Sequence, residues 1–174
     1  MLTLMLLRHA KAAVAEADEQ DINRDLTPRG RRAAQAMGRF IEARGPKPEL
    51  VLCSPARRAR ETWQLVAREL SNAPPPTIDA KLYDFGDGSA LLESLNRHGE
   101  ERNTVLIVGH NPAIVELAVK LVRNGDLKLL AKLKSKYPTG ALATIQFDSR
   151  SWLGIVGKGE LKAFIRPKDL LTAI

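Results

Sequence analysis

Three short stretches of this chain carry residue types suited to handling a doubly charged anion. Arg8 and His9 follow an uncharged run from Leu2 to Leu7. Arg57, Arg58 and Arg60 follow Ser54-Pro55, and His110 lies within Gly109-His110-Asn111-Pro112. A phosphoryl group spreads about two negative charges over three oxygens and reacts through a loose transition state. Arginine offers a planar fork of donors that engages such oxygens two at a time. A neutral imidazole nitrogen is a competent nucleophile toward phosphorus, dividing one hard displacement into two easier ones. Arginines nearby lower the pKa of that histidine and keep it neutral near pH 7; its second nitrogen then calls for an acceptor, expected to be a backbone carbonyl. Taken singly, these residues equally describe solvated loop charges and capping or core histidines. Their significance depends on convergence.

The elements that deliver them predict that convergence. Leu2 to Leu7, Glu49 to Cys53 and Thr104 to Val108 are short apolar runs, the pattern of buried parallel strands. Parallel strands place their carboxyl ends on one sheet edge. Open α/β sheets bind ligands there, and helix N-termini add positive potential for an anion. Thr27-Pro28 reads as an N-cap and first helical residue. Ala33, Ala36, Met37, Phe40 and Ile41 follow at helical spacing, and Gly45-Pro46 stops the helix. Ser54-Pro55 repeats the signature for a helix to about Leu70. Asn111-Pro112 caps another through about Val122, and a short helix spans about Ala90 to Arg97. Lys11 to Asp25 reads as a loop over the first strand end, Asn72 to Thr77 as a rigid connection and Leu82 to Ser89 as an irregular loop. The stretch from Gly125 to Pro138 fits a short helix or a loop. Ala141 to Phe147, Trp152 to Val156 and Leu161 to Arg166 read as strands. Gly157-Lys158-Gly159 joins the last two as a hairpin, and with a strand following it is no phosphate loop. The order predicts an α/β fold: a three-layer α/β/α sandwich with a mostly parallel central sheet, at least one antiparallel edge and a single domain over residues 1–174.

Composition narrows the function classes. The 174 residues are 44% hydrophobic and 27% charged, an ordinary globular balance. The single cysteine, Cys53, excludes an internal disulfide and fits a reducing compartment. No stretch approaches the ~20 apolar residues of a membrane helix. The apolar start is short and has no basic residue before it, unlike a signal peptide. A cytoplasmic protein with no membrane partner is expected. Lys and Arg number 27 against 20 Asp and Glu, a net charge of +7 that attracts anions. Aromatics are only 5% and basic residues run from Arg8 to Lys168, so nucleic acid is not an expected partner. Lys128, Lys132, Lys134 and Lys136 form one local cluster, read as a solvated face. Three histidines and one cysteine show no metal-ligand spacing, so neither metal nor other cofactor is expected.

The ordered set of stretches resembles one family. Leu7-Arg8-His9-Ala10-Lys11 resembles the Arg-His-Gly signature of the histidine phosphatase (phosphoglycerate mutase-like) superfamily. Ser54-Pro55-Ala56-Arg57-Arg58-Ala59-Arg60-Glu61-Thr62 is similar to its S-P-x-x-R-A-x-x-T segment, and Val108-Gly109-His110-Asn111-Pro112 to its second-histidine motif. Asp21, Arg24, Leu26, Thr27 and Gly30 resemble the D-x-x-R-x-L-T-x-x-G stretch of the small SixA-like branch, the phosphohistidine phosphatases. The short length and the Arg166-Pro167-Lys168 ending resemble that branch too. The resemblance implies His9 as nucleophile, Arg8 and Arg58 as clamps on the phosphoryl oxygens, and His110 as a hydrogen-bond donor in the transition state. Helical position alone does not separate Arg58 from Arg57 or Arg60. Arg24 and Asp21 would line or brace the pocket, and Asn111 would serve it as a helix cap orienting His110. His98 is assigned no role.

Two departures matter. Ala10 replaces the glycine of the signature, a small-for-small change. Larger members resemble one another in carrying a glutamate that protonates the leaving group, and here only Asp84, after Leu82-Tyr83, or Asp21 falls near that place. An alkoxide leaving group needs a general acid, whereas the P–N bond of phosphohistidine is labile. The expected function is therefore hydrolysis of a phosphohistidine on a protein, such as a phosphotransfer domain, through an enzyme phosphohistidine. The alternative substrate is a small phosphomonoester or acyl phosphate. A third reading is a non-catalytic module that binds phosphate or nucleic acid. With little chain available for a lid, a shallow, open site is expected.

Overall fold

Strand β1 (Leu2–Arg8) has no polar face: Leu2, Leu4 and Leu6 enter one hydrophobic core, Met5 and Leu7 another. A strand buried on both faces belongs in the middle of a sheet with helices on either side. The computed structural model, which describes residues 1–171, places it there. Residues 172–174 of the expected domain lie outside the described residues. Strand β4 (Thr104–Gly109) alternates likewise, with Val105 and Ile107 opposed to Leu106 and Val108. So does β2 (Leu50–Cys53), with Leu52 opposed to Val51 and Cys53. The other strands are β3 (Pro76–Ile78), β5 (Val122–Gly125), β6 (Leu142–Phe147) and β7 (Gly159–Ile165), in the sheet order β3-β2-β4-β1-β6-β7-β5.

Helices cover both faces, as the three-layer reading requires. Met37 and Ile41 of α1 (Pro28–Arg44) and Trp63 and Val66 of α2 (Arg57–Arg68) pack on one side. Leu91 and Leu95 of α3 (Ser89–His98), Ile114 and Leu117 of α4 (Ala113–Leu121) and Leu133 of α5 (Leu127–Ser135) pack on the other. A final short helix, α6 (Pro167–Leu171), lies against α1. Among the described residues no helix is long and apolar enough to cross a membrane. Helix α1 starts and stops as its signals predict: the Thr27 hydroxyl accepts from the Gly30 N–H at 3.0 Å, Pro28 opens the helix and Gly45 follows it.

Several expectations are corrected. Helix α2 begins at Arg57, two residues past Pro55, because the Ser54 hydroxyl is engaged at the sheet edge and accepts only the Ala56 N–H, at 3.2 Å. Asn111 does not cap α4; its amide donates to the Tyr137 carbonyl at 3.0 Å, and the helix begins at Ala113. The open stretch contains α5, whose N-cap Asp126 accepts from the N–H groups of Lys128 and Leu129. Trp152 to Val156 is no strand, so Gly157-Lys158-Gly159 is no hairpin between two strands. The Trp152 indole donates to the Arg102 carbonyl at 2.9 Å, Trp152 and Ile155 bury their side chains, and Gly154 and Gly157 turn the chain at φ 71° and 69°. The edge beside β7 is taken instead by β5, which starts at Val122, the residue expected to end the preceding helix, and runs to Gly125. Pro76 to Ile78, within and just past the stretch read as a connection, is the opposite edge strand, a place that tolerates proline. The antiparallel strand, β6, lies inside the sheet between β1 and β7.

One glycine ties α1 to the end of β1. A Cβ on Gly30 would meet the Lys11 carbonyl oxygen at 2.2 Å, an overlap that only backbone movement relieves. Gly30→Ala is expected to destabilise the protein by about 1–3 kcal/mol, read as a lower denaturation midpoint in urea. An unchanged midpoint would show that this contact is not tight.

Candidate active site

The parallel registers bring the predicted residues to one place. Arg8 of β1 stands opposite Gly109 of β4, and Cys53 of β2 opposite Val108. His9 and His110, each one residue past its strand, are thereby neighbours. The His9 N–H donates to the Gly109 carbonyl at 3.0 Å, and the two imidazole centroids are 5.1 Å apart. They line a cavity of about 410 Å³ together with Arg8, Arg24, Arg58 and Asn111. Lys11, Ala12, Phe85 and Thr139 complete its described wall, which contains no carboxylate.

The hydrogen bonds assign protons to both rings. His9 Nδ1 lies 2.7 Å from the Ala10 carbonyl, which can only accept, so Nδ1 carries the proton and Nε2 keeps its lone pair. The Ala10 N–H donates to Thr62 Oγ1 at 3.0 Å and the Thr62 hydroxyl donates to the Arg58 carbonyl at 2.6 Å, locking this turn to α2. The Ala10 methyl packs with Leu26, Ala34 and Leu65, so the residue that departs from the glycine signature is accommodated. His110 Nε2 lies 2.8 Å from Ser54 Oγ. That oxygen already accepts from Ala56, and an unused proton on a fully buried hydroxyl costs about 1–3 kcal/mol. Ser54 therefore donates to Nε2, leaving the proton of a neutral His110 on Nδ1, a buried atom without a hydrogen-bond partner among the described residues.

Burial is the main force on both pKa values. It brings His9 down to about 4, assisted by the charges of Arg58, Arg8 and Arg24 and opposed by the Ala10 hydrogen bond. His110 falls to about 3, again mainly by burial, with His9 and Arg58 as lesser contributors. Arginine proximity, the cause expected from the sequence, is secondary.

The arginines are held in place from behind. Arg58 is 1% exposed; its Nη1 donates to the Asp21 carbonyl at 2.8 Å and its Nη2 to the Asp21 carboxylate at 3.1 Å. Arg24 Nε donates to the other carboxylate oxygen at 2.9 Å, and the Tyr83 hydroxyl donates to the same carboxylate at 2.5 Å. With Tyr83 contributing most, these donors hold the Asp21 carboxyl down at about 2. Asp21 is thus an ionised brace that stays outside the cavity wall and has no proton to give near neutral pH. Arg8 Nη1 donates to the Tyr137 carbonyl at 2.9 Å, the acceptor that also holds Asn111. The Nε atoms of Arg8 and Arg58 are buried and have no partner among the described residues. Asp84 is not brought to the cavity; its carboxylate accepts from the Gly86 N–H on its own loop. His98, 3.4 Å from the Asp79 carboxylate, belongs to a separate cluster.

Several participants carry no signal in the sequence. The Phe85 ring lies 5.0 Å from His110 at a 40° tilt and Tyr83 meets the same ring edge-on at 5.4 Å, both from a stretch whose pattern predicts only a loop. Tyr137 anchors the floor: its hydroxyl donates to the Leu6 carbonyl at 2.5 Å and accepts from the Ala143 N–H at 3.1 Å. No local pattern marks that role. Ser54 and Thr62 lie inside a recognised motif, but the partners that tie them to the site, His110 and Ala10, are 56 and 52 residues away.

Comparison with known proteins decides the family. The profile of the histidine phosphatase superfamily (branch 1) matches residues 4–91, half of the chain. The chain belongs to the histidine phosphatase superfamily. Phosphatase chemistry follows from that membership. An uncharacterized protein of Mycobacterium tuberculosis (strain H37Rv) is 34% identical over 142 residues, covering 80% of this chain and 86% of that one. Phosphohistidine phosphatase SixA of Escherichia coli K12 is 26% identical over 150 residues, covering 84% and 86%. The crystal structure of a candidate phosphohistidine phosphatase SixA from Agrobacterium tumefaciens superposes with a TM-score of 0.77 at 31% identity, covering 95% and 99%. Within the superfamily the chain falls on the SixA-like branch.

The two lowered histidine pKa values predict an acid-sensitive fold. Both groups titrate near 6.5 when unfolded and well below that when folded, so the unfolded chain takes up protons first as pH falls. Their contribution is complete above pH 6.5 and is lost as pH drops toward 4. Urea unfolding at pH 7 and pH 5 should differ by about 2 kcal/mol per histidine, and His110→Gln should reduce the difference. Equal stability at both pH values would contradict neutral buried imidazoles.

Proposed function

We propose that this protein hydrolyses a phosphohistidine carried by another protein, with His9 as the transiently phosphorylated group. His9 Nε2 attacks phosphorus and forms a P–N bond as the P–N bond of the substrate breaks, its electron pair leaving with the substrate imidazole. The substrate ring carries a proton from solvent on its second nitrogen, so it leaves as neutral imidazole. Water then attacks phosphorus, gives up a proton to solvent and forms the new P–O bond, while the electron pair returns to His9 Nε2. Arg8 and Arg58 bind the phosphoryl oxygens, with Arg24 at the rim, and His110 donates through Nδ1 to an oxygen as charge shifts in the transition state. Asp21 and Asn111 position these groups.

One observation carries the choice of substrate: cations and neutral histidines line the cavity, and among the described residues no carboxylate does. Such a site holds phosphate well but offers no committed acid to an alkoxide leaving group. A P–N bond suits it best, because solvent can protonate the second ring nitrogen and no protein acid is needed at the bond that breaks. The name of the Escherichia coli relative supports the same reading. Acyl phosphates are the second reading, favoured by the same lack of a carboxylate in the described wall, because their carboxylate leaving group needs no acid either.

Brief reaction with labelled substrate followed by alkaline quench should trap an acid-labile, base-stable phosphate. His9→Ala should abolish it and lower kcat/KM by roughly 10³-fold or more. Unchanged activity in His9→Ala would falsify the mechanism. For substrate class, kcat/KM on a phosphohistidine-bearing phosphotransfer domain should exceed that on a panel of sugar and nucleoside monophosphates by roughly 10²-fold or more. A marked preference for one metabolite would transfer the assignment to the small-molecule reading.

A further inference from the structure

Beside the His9 cavity lies a larger cleft of about 560 Å³, and the two share Lys11 and Thr139 in their walls. Five cations line it: Lys11, Arg29, Lys136, Arg166 and Lys168. No carboxylate appears among its described lining residues. Asp169, from outside the wall, pairs with Arg166 at 2.8 Å, whereas Lys11, Arg29 and Lys136 form no ion pair among the described residues. Like charges gathered around one concavity repel each other, and an anionic occupant relieves that repulsion. Arg29, Gly30 and Ala33 place the cleft beside the first turns of α1. Its apolar lining includes the small residues Ala33, Pro138 and Pro167, and among the described lining residues no aromatic side chain offers a base a stacking surface.

We infer that this cleft docks an acidic segment of the phosphorylated protein whose phosphoryl group enters the His9 cavity. The inference rests on the phosphoprotein reading above and adds the surface that recognises the protein part. Cations interspersed with apolar residues in one wall complement a polypeptide that presents carboxylates next to apolar side chains. The absence of a stacking platform disfavours a nucleoside polyphosphate. Because Lys11 and Thr139 belong to both walls, a segment in the cleft leads directly to His9. The net charge of +7 draws such a partner in, and the cleft fixes where it sits.

The test compares the wild-type protein with the double variant Arg29→Glu/Lys136→Glu, both positions being exposed and outside the catalytic set. A second double variant, Arg68→Glu/Lys158→Glu, changes net charge equally away from the cleft. The binding probe is an unphosphorylated acidic phosphotransfer domain, measured by calorimetry at low and high salt. The cleft variant should bind it roughly tenfold more weakly and with little salt dependence, while the control variant stays within about twofold of wild type. On p-nitrophenyl phosphate all three proteins should keep the same kcat/KM. On the phosphorylated domain the cleft variant should show a raised KM with kcat retained. Equal affinity in wild type and cleft variant, equal loss in both variants, or a parallel loss on p-nitrophenyl phosphate overturns the inference. So does binding of ATP through Arg29 and Lys136 with no binding of the acidic domain. A wild type that binds the domain through these residues yet leaves its phosphohistidine intact sinks the substrate reading and keeps the docking surface. Turnover with an unchanged KM in the cleft variant does the reverse.

Discussion

The pairing of β1 with β4 is the constraint on which the site depends. Their parallel register puts Arg8 opposite Gly109, so the next residue on each strand is a histidine and the two rings share one small space. A shift of one residue would turn the Leu and Met side chains of β1 into the wrong cores, because the strand is buried on both faces. The registry of the two imidazoles is thus protected by hydrophobic packing far from any substrate. Both strands contribute apolar side chains to both cores, so the sheet cannot slide without emptying one of them.

Once the rings are buried, charge follows. Desolvation keeps His9 and His110 neutral among arginines whose charges would otherwise be the dominant feature of the cavity. Among the described residues the one carboxylate that pairs with these arginines, Asp21, stays half-exposed behind them and accepts from three donors. It balances Arg58 without drawing it from the cavity. The result is a wall with cations to hold a phosphoryl group and an unprotonated nitrogen to receive it.

Much of this was legible in the chain because it is encoded locally. Six uncharged residues before Arg8, and the apolar runs before Ser54 and Gly109, specify strands, and the Thr27-Pro28 signature marks a helix start to the residue. The expected carbonyl partner of His9 is the next residue, Ala10. What sequence patterns did not reveal depends on distant partners. Asn111 resembles a helix cap until Tyr137, 26 residues later, offers it a carbonyl. Trp152 to Val156 has strand composition, but Arg102 and two left-handed glycines make it a loop that buries only Trp152 and Ile155. The edge strand β5 is assigned by the neighbour it meets, β7, and its own residues Val122–Gly125 carry no strand pattern. The Asp84 and Asp21 candidacies for an acid came from chain position, and only geometry separates a brace from a proton donor.

Tyr137 leaves a mark on how this fold is free to diversify. Its carbonyl receives both Arg8 and Asn111, while its ring hydroxyl grips the backbone of β1 and β6. Neither recipient can be retuned alone, since moving the shared acceptor displaces both and pulls on two central strands. Changes in substrate range are therefore channelled to parts that hang free of this knot, such as the exposed ring of Phe85 and the side chain of Lys11. Chemistry and selectivity are built on separable pieces of the chain, and drift in one need not disturb the other.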